Sequence, residues 1–177
     1  MKYSIFYLIK GKAEKYHQRL VKEVGPKFGE RYMIENPLPS HITLKSPFET
    51  DNIKEIERLL KEFVKKHKKS KIEIRGFGNF DRHVAFLKIK PSKQAVQIQK
   101  ELLKGIKKID GVNVNEFDIK WHPHSTVAYG NTKESFNGIW KYLKTLAKAQ
   151  FELNFDNITV MKKQGDRWKV HRGFKIR

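Results

Sequence analysis

The chain has 177 residues, of which 38% are hydrophobic and 32% are charged, as expected for one globular domain with a substantial core. It contains no cysteine, which excludes disulfides and thiolate metal sites and suits a reducing compartment. The net charge of +19 favours an anionic partner, with RNA or DNA first among the candidates. A lysine-rich surface that interacts only with solvent is the alternative explanation of this charge.

The first half of the chain alternates between strand and helix patterns. An apolar run at residues 3–10 predicts a buried strand. This run is too short for a signal peptide or a membrane span, so we expect a cytoplasmic protein that does not enter a membrane. The elements predicted next are a helix at 12–24, an irregular stretch at 26–38, a strand from 39 to 48, a helix from 53 to 67 and a strand at 71–77.

The second half repeats this order of elements. Its predicted elements are a strand at 83–90, a helix from 92 to 106, a strand from 121 to 129, a helix at 133–148 and strands at 151–161 and 167–176. The duplicated order predicts two similar lobes, about 1–80 and 81–177, that pack around a cleft. No linker or low-complexity segment separates the lobes, so we expect residues 1–177 to form a single domain. We also expect the protein to be a monomer.

Each half carries a short motif of histidine, any residue, threonine and an apolar residue in its middle strand. The first copy is His41-Ile42-Thr43-Leu44, and the second is His124-Ser125-Thr126-Val127. Residues i and i+2 of a strand point to the same face, so the histidine and threonine of each copy should stand side by side above an apolar anchor. Two such strands facing each other would bring two imidazoles and two hydroxyls to one site.

Two imidazoles and two hydroxyls are sufficient for acid–base chemistry on a phosphodiester, with no metal or other cofactor. A neutral histidine can accept a proton from the attacking hydroxyl or water, while a protonated histidine donates one to the leaving oxygen. Threonine hydroxyls can donate hydrogen bonds to the non-bridging phosphate oxygens. The sequence does not indicate which histidine is the acid. The alternative is that both are strand histidines with ordinary hydrogen-bond partners.

The spacing of the motifs supports the duplication. The two motif histidines are 83 residues apart, and the same shift carries Tyr3 onto Phe86 in the opening strand of the second half. We therefore expect a single register for the whole repeat.

With these motifs the chain resembles the 2H phosphoesterase superfamily, and within it the 2′-5′ RNA ligase-like branch. The resemblance covers essentially the whole chain and includes the proline before His124, whereas Ser40 replaces the proline that is common before the first motif. It implies a bilobal, pseudo-twofold α+β fold with mainly antiparallel sheets flanking a central cleft and helices outside. It also implies metal-independent hydrolysis of RNA 2′,3′-cyclic phosphate ends, or 2′-5′ ligation.

The resemblance also assigns roles to the motif residues. It implies that His41 and His124 are the acid–base pair and that Thr43 and Thr126 bind the phosphate.

Further residues near the motifs are candidates for binding RNA, and these are Lys45, Phe48, Tyr129, Arg167, Trp168 and Lys169. Lys45 follows Thr43 by two positions, so we expect it to share the face of Thr43 and to reach the phosphate. The last three interleave positive charge with an aromatic ring that can stack on a base. The alternative is a core position for the aromatic residues and solvation for the basic ones.

His122 and His124 form a His-x-His pair, which could suggest a metal site. No carboxylate cluster lies nearby in the sequence, so we expect neither residue to bind a metal.

Two other functions remain compatible with the sequence. One is a phosphodiesterase for small cyclic nucleotides, in which the high positive charge is incidental. The other is a non-catalytic RNA-binding protein on the same scaffold, whose binding would survive the loss of either motif histidine.

Overall fold

A computed structural model describes residues 1–177 and contains eight strands and six helices. The strands are β1 (Lys2–Leu8), β2 (His41–Glu49), β3 (Ser70–Phe80), β4 (Val84–Pro91), β5 (His124–Tyr129), β6 (Gln150–Phe155), β7 (Asn157–Gln164) and β8 (Arg167–Lys175). The helices are α1 (Lys12–Lys27), α2 (Tyr32–Glu35), α3 (Ile53–Lys66), α4 (Lys93–Ile106), α5 (Glu116–Ile119) and α6 (Lys133–Thr145). No helix is both long enough and apolar enough to cross a membrane.

The strands form two four-stranded sheets, ordered β2-β1-β7-β8 and β5-β4-β3-β6. All neighbouring strands pair in the antiparallel sense, as the predicted α+β class requires. The motif strands β2 and β5 are edge strands, and each pairs with the opening strand of its own half. The two sheets are therefore related by the duplication that the sequence predicts.

The two halves of the chain exchange strands. β3 comes from the first half but lies beside β4, whereas β7 and β8 come from the second half and complete the sheet of β1 and β2. The lobes therefore do not coincide with segments 1–80 and 81–177. The single strand predicted at 151–161 is two strands, β6 and β7, in different sheets. Asp156 alone separates them, so the apolar pattern shows no break.

The pairing register corrects the predicted spacing of the repeat. Phe6 pairs with Thr43 in the first sheet, and Phe86 pairs with Thr126 in the second. The equivalent phenylalanines are thus 80 residues apart, against 83 for the motif histidines. The connection from opening strand to motif strand is three residues longer in the second half, so Tyr3 is not the counterpart of Phe86.

The apolar positions of both motifs belong to one hydrophobic core, a cluster of 32 buried residues. Ile42 and Leu44 of β2 and Val127 of β5 are at most 1% exposed, while the motif histidines and threonines are half-buried on the other face. Packing on one face of each strand therefore turns the polar side chains of the motif away from the core.

A β-bulge follows the threonine of each motif. In β2 the extra residue is Leu44, and in β5 it is Val127. The fourth, apolar residue of both copies thus occupies the same irregular position. A bulge interrupts the alternation of faces. As a result, Lys45 is buried next to Leu44 instead of sharing the face of Thr43.

Lys45 forms a buried ion pair with Asp118 of α5. Its Nζ lies 2.8 Å from Oδ2 of Asp118, and both side chains are at most 2% exposed. The backbone N–H groups of Ser46 and Asn115 donate to the same carboxylate at 2.7 and 3.0 Å. Burial by itself would raise the pKa of Asp118, but Lys45 and these backbone donors lower it below the usual value. The ion pair ties α5 to β2.

We predict that Lys45→Met lowers the free energy of unfolding by about 3–5 kcal/mol, because it leaves the Asp118 carboxylate buried without a cation. Urea denaturation at pH 7 measures the change. The double variant Lys45→Met/Asp118→Leu should recover most of the loss, since no charge then remains buried.

The matched control is Lys120→Met, which breaks an exposed pair with Glu116 one helical turn away. Such a pair contributes less than about 0.5 kcal/mol. Equal losses for Lys45→Met and Lys120→Met would contradict the role assigned to the buried pair.

Candidate active site

The two motif strands line one cleft of ≈ 350 Å³. His41 and Thr43 of β2 and His124 and Thr126 of β5 all face into it. The structure thus brings together the four side chains that the sequence singles out. The volume lies in the range of pockets that hold small molecules, which is about 300–1,000 Å³.

Two further segments complete the walls of the cleft. One is the connection that precedes β2, and the other is the hairpin between β7 and β8. The lining residues outside the motifs are Tyr32, Met33, Asn36, Pro37, Leu38, Tyr129, Lys163, Asp166, Arg167 and Trp168. The cleft therefore combines aromatic side chains with two cations and one carboxylate.

Both motif histidines make the same hydrogen bond to the backbone. Nδ1 of His41 lies 2.8 Å from the carbonyl oxygen of Pro39, and Nδ1 of His124 lies 2.7 Å from that of His122. A carbonyl oxygen can only accept, so each Nδ1 carries a hydrogen. Nε2 is then the nitrogen that remains free to exchange a proton with a ligand. Each imidazole is held by the residue two positions before it.

Aromatic rings fix the planes of the two imidazoles. Phe6 stacks on His41 with centroids 3.9 Å apart and planes 17° apart. Phe86, the counterpart of Phe6, lies 5.2 Å from His124, and Phe80 packs edge-on against the same ring at 4.9 Å. Each histidine is therefore restrained by its backbone hydrogen bond and by a ring from the neighbouring strand.

Burial lowers the pKa of both motif histidines. For His41 burial is the largest cause, the neighbouring His17 and His124 add to it, the hydrogen bond to Pro39 opposes it, and the pKa is about 4. For His124 burial again comes first and His122 adds to it, while the hydrogen bond to the backbone opposes the shift. Both imidazoles are thus neutral at pH 7, and a bound phosphate would raise both pKa values.

A third histidine, His17 of α1, links the two motifs. It is 4% exposed, and its Nε2 lies 2.8 Å from the carbonyl oxygen of Thr126. Nε2 must therefore donate, which leaves Nδ1 to accept from the hydroxyl of Ser40 at 2.8 Å. The serine that departs from the family pattern thus has a structural role, because a proline could not donate this hydrogen bond. A histidine on the apolar side of helix α1 was the available sequence signal.

Trp121 makes the reciprocal contact. Its indole Nε1–H donates to the carbonyl oxygen of Thr43 at 2.8 Å. The backbone carbonyl of each motif threonine is thus held by a ring N–H from the other half of the chain. Nearby, Gln99 donates to the carbonyl of Leu44 at 3.2 Å. Together these contacts fix the two edge strands relative to each other.

Three of the residues predicted to bind RNA lie outside the cleft. Lys45 is buried in its ion pair with Asp118, because the bulge after Thr43 reverses its face. Phe48 is 6% exposed and packs near Tyr3, at 6.2 Å between ring centroids, so it belongs to the core. Lys169 is exposed but does not line the cleft.

The remaining candidates line the cleft, together with one lysine that the sequence did not indicate. Tyr129, Arg167 and Trp168 are lining residues. Lys163 is the cross-strand partner of Trp168 in the β7–β8 hairpin, so these two side chains share one face of the hairpin. Lys169 pairs with Lys162 instead. Only the pairing register of the hairpin distinguishes Lys163 from Lys169.

The His-x-His pair does not form part of a larger ligand set. His122 is exposed and packs edge-on against Phe80 at 5.9 Å, whereas His124 faces the cleft. No group of three or more histidine, aspartate or glutamate side chains in the chain has the arrangement to hold a metal ion.

The chain is similar to known proteins over almost its full length. A family model described as the 2′-5′ RNA ligase superfamily matches residues 14–167. TT0787 of Thermus thermophilus aligns with 99% of this chain and 98% of its own, at a TM-score of 0.71 and 15% identity. LigT of E. coli complexed with 3′-AMP aligns with 99% of this chain and 97% of its own, at a TM-score of 0.68 and 14% identity. These two likenesses establish the fold alone. No curated protein sequence matches the chain.

We predict that His41 titrates near pH 4 and His124 below pH 6.5, and that inorganic phosphate raises both pKa values. Histidine NMR titrations measure the values, with His41→Asn and His124→Asn for assignment. Because the unfolded chain binds these protons more tightly, the folded protein should lose stability as the pH falls from 6.5 towards 4. Nitrogen shifts should also show a protonated Nδ1 in both neutral rings. Titration of both histidines near 6.5, with no response to phosphate, would contradict this description of the cleft.

Proposed function

The chain belongs to the 2′-5′ RNA ligase superfamily, within the 2H phosphoesterases, and on this basis we propose that it acts on RNA ends that carry a 2′,3′-cyclic phosphate. It hydrolyses the cyclic ester, or joins the end to a 5′-hydroxyl by 2′-5′ ligation, without a metal. The observation that carries the proposal is the pairing of two imidazoles, each with a free Nε2, and two threonines in one cleft.

In hydrolysis, a neutral histidine takes a proton from water as the water oxygen bonds to phosphorus. The ester bond to one ribose oxygen breaks, and the second histidine, protonated, donates its proton to that oxygen. Thr43 and Thr126 donate hydrogen bonds to the non-bridging oxygens, where negative charge increases. The products are a phosphomonoester and a ribose hydroxyl. In ligation a 5′-hydroxyl takes the place of water, so the histidines keep these roles. They exchange roles only in the reverse of ligation, when a 2′-5′ bond is cleaved back to the cyclic phosphate.

We assign the base in hydrolysis to His41 and the acid to His124. His41 is the harder of the two to protonate, because burial lowers its pKa to about 4 and the neighbouring His17 and His124 add to this shift. His124 then carries the proton when a phosphate anion enters the cleft. A bound anion stabilises the imidazolium that the acid requires.

The walls of the cleft favour an RNA end over a free cyclic nucleotide. Lys163 and Arg167 can contact phosphates beyond the cyclic one, and Trp168 can stack on a base. Tyr32 and Tyr129 form an edge-to-face pair with centroids 5.0 Å apart on the cleft wall. The charge of +19 supports the same substrate class.

We predict that His41→Ala and His124→Ala each lower turnover by about 10²–10⁴, the usual contribution of one acid or base. The double variant should be scarcely slower than the slower single variant, because the two residues act as one unit. The assay uses an oligonucleotide and a mononucleotide that both end in a 2′,3′-cyclic phosphate. His67→Ala, outside the cleft, is the control and should keep full turnover.

Several outcomes would count against this proposal. Near-full activity of either single variant would make that histidine structural. Loss of activity on chelation, with rescue by zinc or manganese, would exclude a mechanism that uses imidazoles and hydroxyls alone. Turnover of the mononucleotide with no preference for the oligonucleotide would favour the small-nucleotide function. Oligonucleotide binding without any turnover would favour a binding protein.

We predict that the two single variants respond differently to the leaving group. A phosphodiester that releases nitrophenolate needs no proton on its leaving oxygen, so the acid becomes dispensable. His124→Ala should therefore regain most of the wild-type rate on such a substrate, while His41→Ala should remain slow. Comparison of kcat on the nitrophenyl and ribose esters measures this effect. Recovery by His41→Ala instead would reverse the assignment.

A further inference from the structure

The face of the sheet that carries His124 continues away from the cleft. Lys88 of β4 is the cross-strand partner of His124, and Phe86 is that of Thr126. On the next strand, Gly78 of β3 pairs with Phe86. Cross-strand partners share one face of a sheet. The surface beside the catalytic histidine therefore extends across three strands, from β5 to β3.

This face forms a groove made of two adjoining depressions of ≈ 600 and ≈ 580 Å³. Both depressions are lined by Phe77, Lys88 and Trp140, so they are continuous. Phe80 and Trp121 line the end nearest the cleft. The groove thus presents four half-buried aromatic rings along one path.

A glycine keeps the floor of the groove open. A Cβ atom on Gly78 would lie 2.5 Å from Cε2 of Phe86 and 2.9 Å from Cγ of Lys88. Any larger residue would push this ring and this lysine stem out of place. Phe86 also contacts His124, with ring centroids 5.2 Å apart, so the floor of the groove touches the catalytic ring directly.

All charged side chains that line the groove are positive. Its lining contains Arg75, Lys88, Lys144 and Lys148 and no aspartate or glutamate. Arg75 is paired with Glu73, whereas the three lysines form no ion pair. The Nζ of Lys144 lies 5.6 Å from the centroid of the Trp140 ring. The groove therefore offers lysines without ion-pair partners next to half-buried aromatic rings.

We propose that this groove binds the single-stranded RNA that leads away from the cyclic phosphate, with bases stacked on the rings and phosphates on the lysines. The inference rests on the proposed function, because the groove begins at the histidine that would act on the terminal phosphate. Rings interleaved with lysines match the requirements of a single strand, whose bases stack and whose backbone needs cations. An acidic peptide would use the cations but would leave the rings without a function.

The test is direct binding, independent of turnover. A fluorescent eight-nucleotide RNA with a 3′-phosphate is titrated by anisotropy at several salt concentrations. Lys144→Ala/Lys148→Ala should lower the slope of log affinity against log salt by about 1.4, because each phosphate of a single strand that loses its lysine contributes about 0.7. Trp140→Leu should weaken binding by about tenfold or more, as expected when one base no longer stacks.

The matched control is Lys104→Ala/Lys107→Ala, which removes the same charge at the end of α4, outside the groove. It should leave both the slope and cyclic mononucleotide turnover unchanged. Thermal unfolding midpoints show whether each groove variant is folded. Trp140→Phe, a smaller change, should give an intermediate affinity if the leucine variant fails to fold.

Equal slopes of log affinity against log salt for the two double variants would overturn the inference. RNA would then be attracted by the overall charge of the protein and not by the lysines of the groove. Displacement of the RNA by polyglutamate, with the same loss in Lys144→Ala/Lys148→Ala and no effect of Trp140→Leu, would assign the groove to acidic peptides instead. Absence of turnover by the wild-type protein would contradict the proposed function alone. RNA binding that depends on the groove residues would still support the binding site.

Discussion

The site depends on two reciprocal hydrogen bonds between the halves of the chain. His17, from the first half, donates to the carbonyl of Thr126, and Trp121, from the second half, donates to the carbonyl of Thr43, both at 2.8 Å. β2 and β5 are edge strands, so each has backbone groups with no neighbouring strand to bind. Ring N–H groups from the opposite half of the chain donate hydrogen bonds to these carbonyl oxygens. They hold the two motifs at a fixed separation, which a two-histidine mechanism requires.

Three of the four motif positions have a distinct structural role. The histidine is fixed through Nδ1 to the carbonyl two residues earlier, which leaves Nε2 free. The threonine shares its face because strands alternate, and the apolar residue at the bulge turns the following residue into the core. The residue after the bulge is Lys45 in the first copy and Ala128 in the second, so one of the two equivalent positions is charged and the other is not. Asp118 neutralises the one that is charged.

Much of this could be predicted from the sequence because its signals are local. Strand alternation places each histidine beside its threonine, and the duplicated order of elements predicts two equivalent sheets. Non-local features escape such reasoning. The bulge that buries Lys45 is visible only in the pairing of β1 with β2. The boundary between β6 and β7 is a single residue, Asp156, at which the chain changes sheets.

The functional residues that the sequence did not reveal also depend on contacts between distant parts of the chain. His17 reaches the site from a helix 109 residues away from its partner Thr126. The choice of Lys163 over Lys169 depends on which residues face each other across a hairpin. Such contacts are properties of the fold, and composition or spacing along the chain does not encode them.

The most direct measurement is a crystal structure of the protein with a 2′- or 3′-nucleotide, the phosphomonoester product of the proposed hydrolysis, in the cleft. Nε2 of both His41 and His124 should then lie within hydrogen-bond distance, about 2.6–3.2 Å, of oxygens on the same phosphate. The hydroxyls of Thr43 and Thr126 should donate to its remaining oxygens. A phosphate bound by one histidine alone, or held elsewhere on the surface, would contradict a cleft built for two-histidine phosphodiester chemistry.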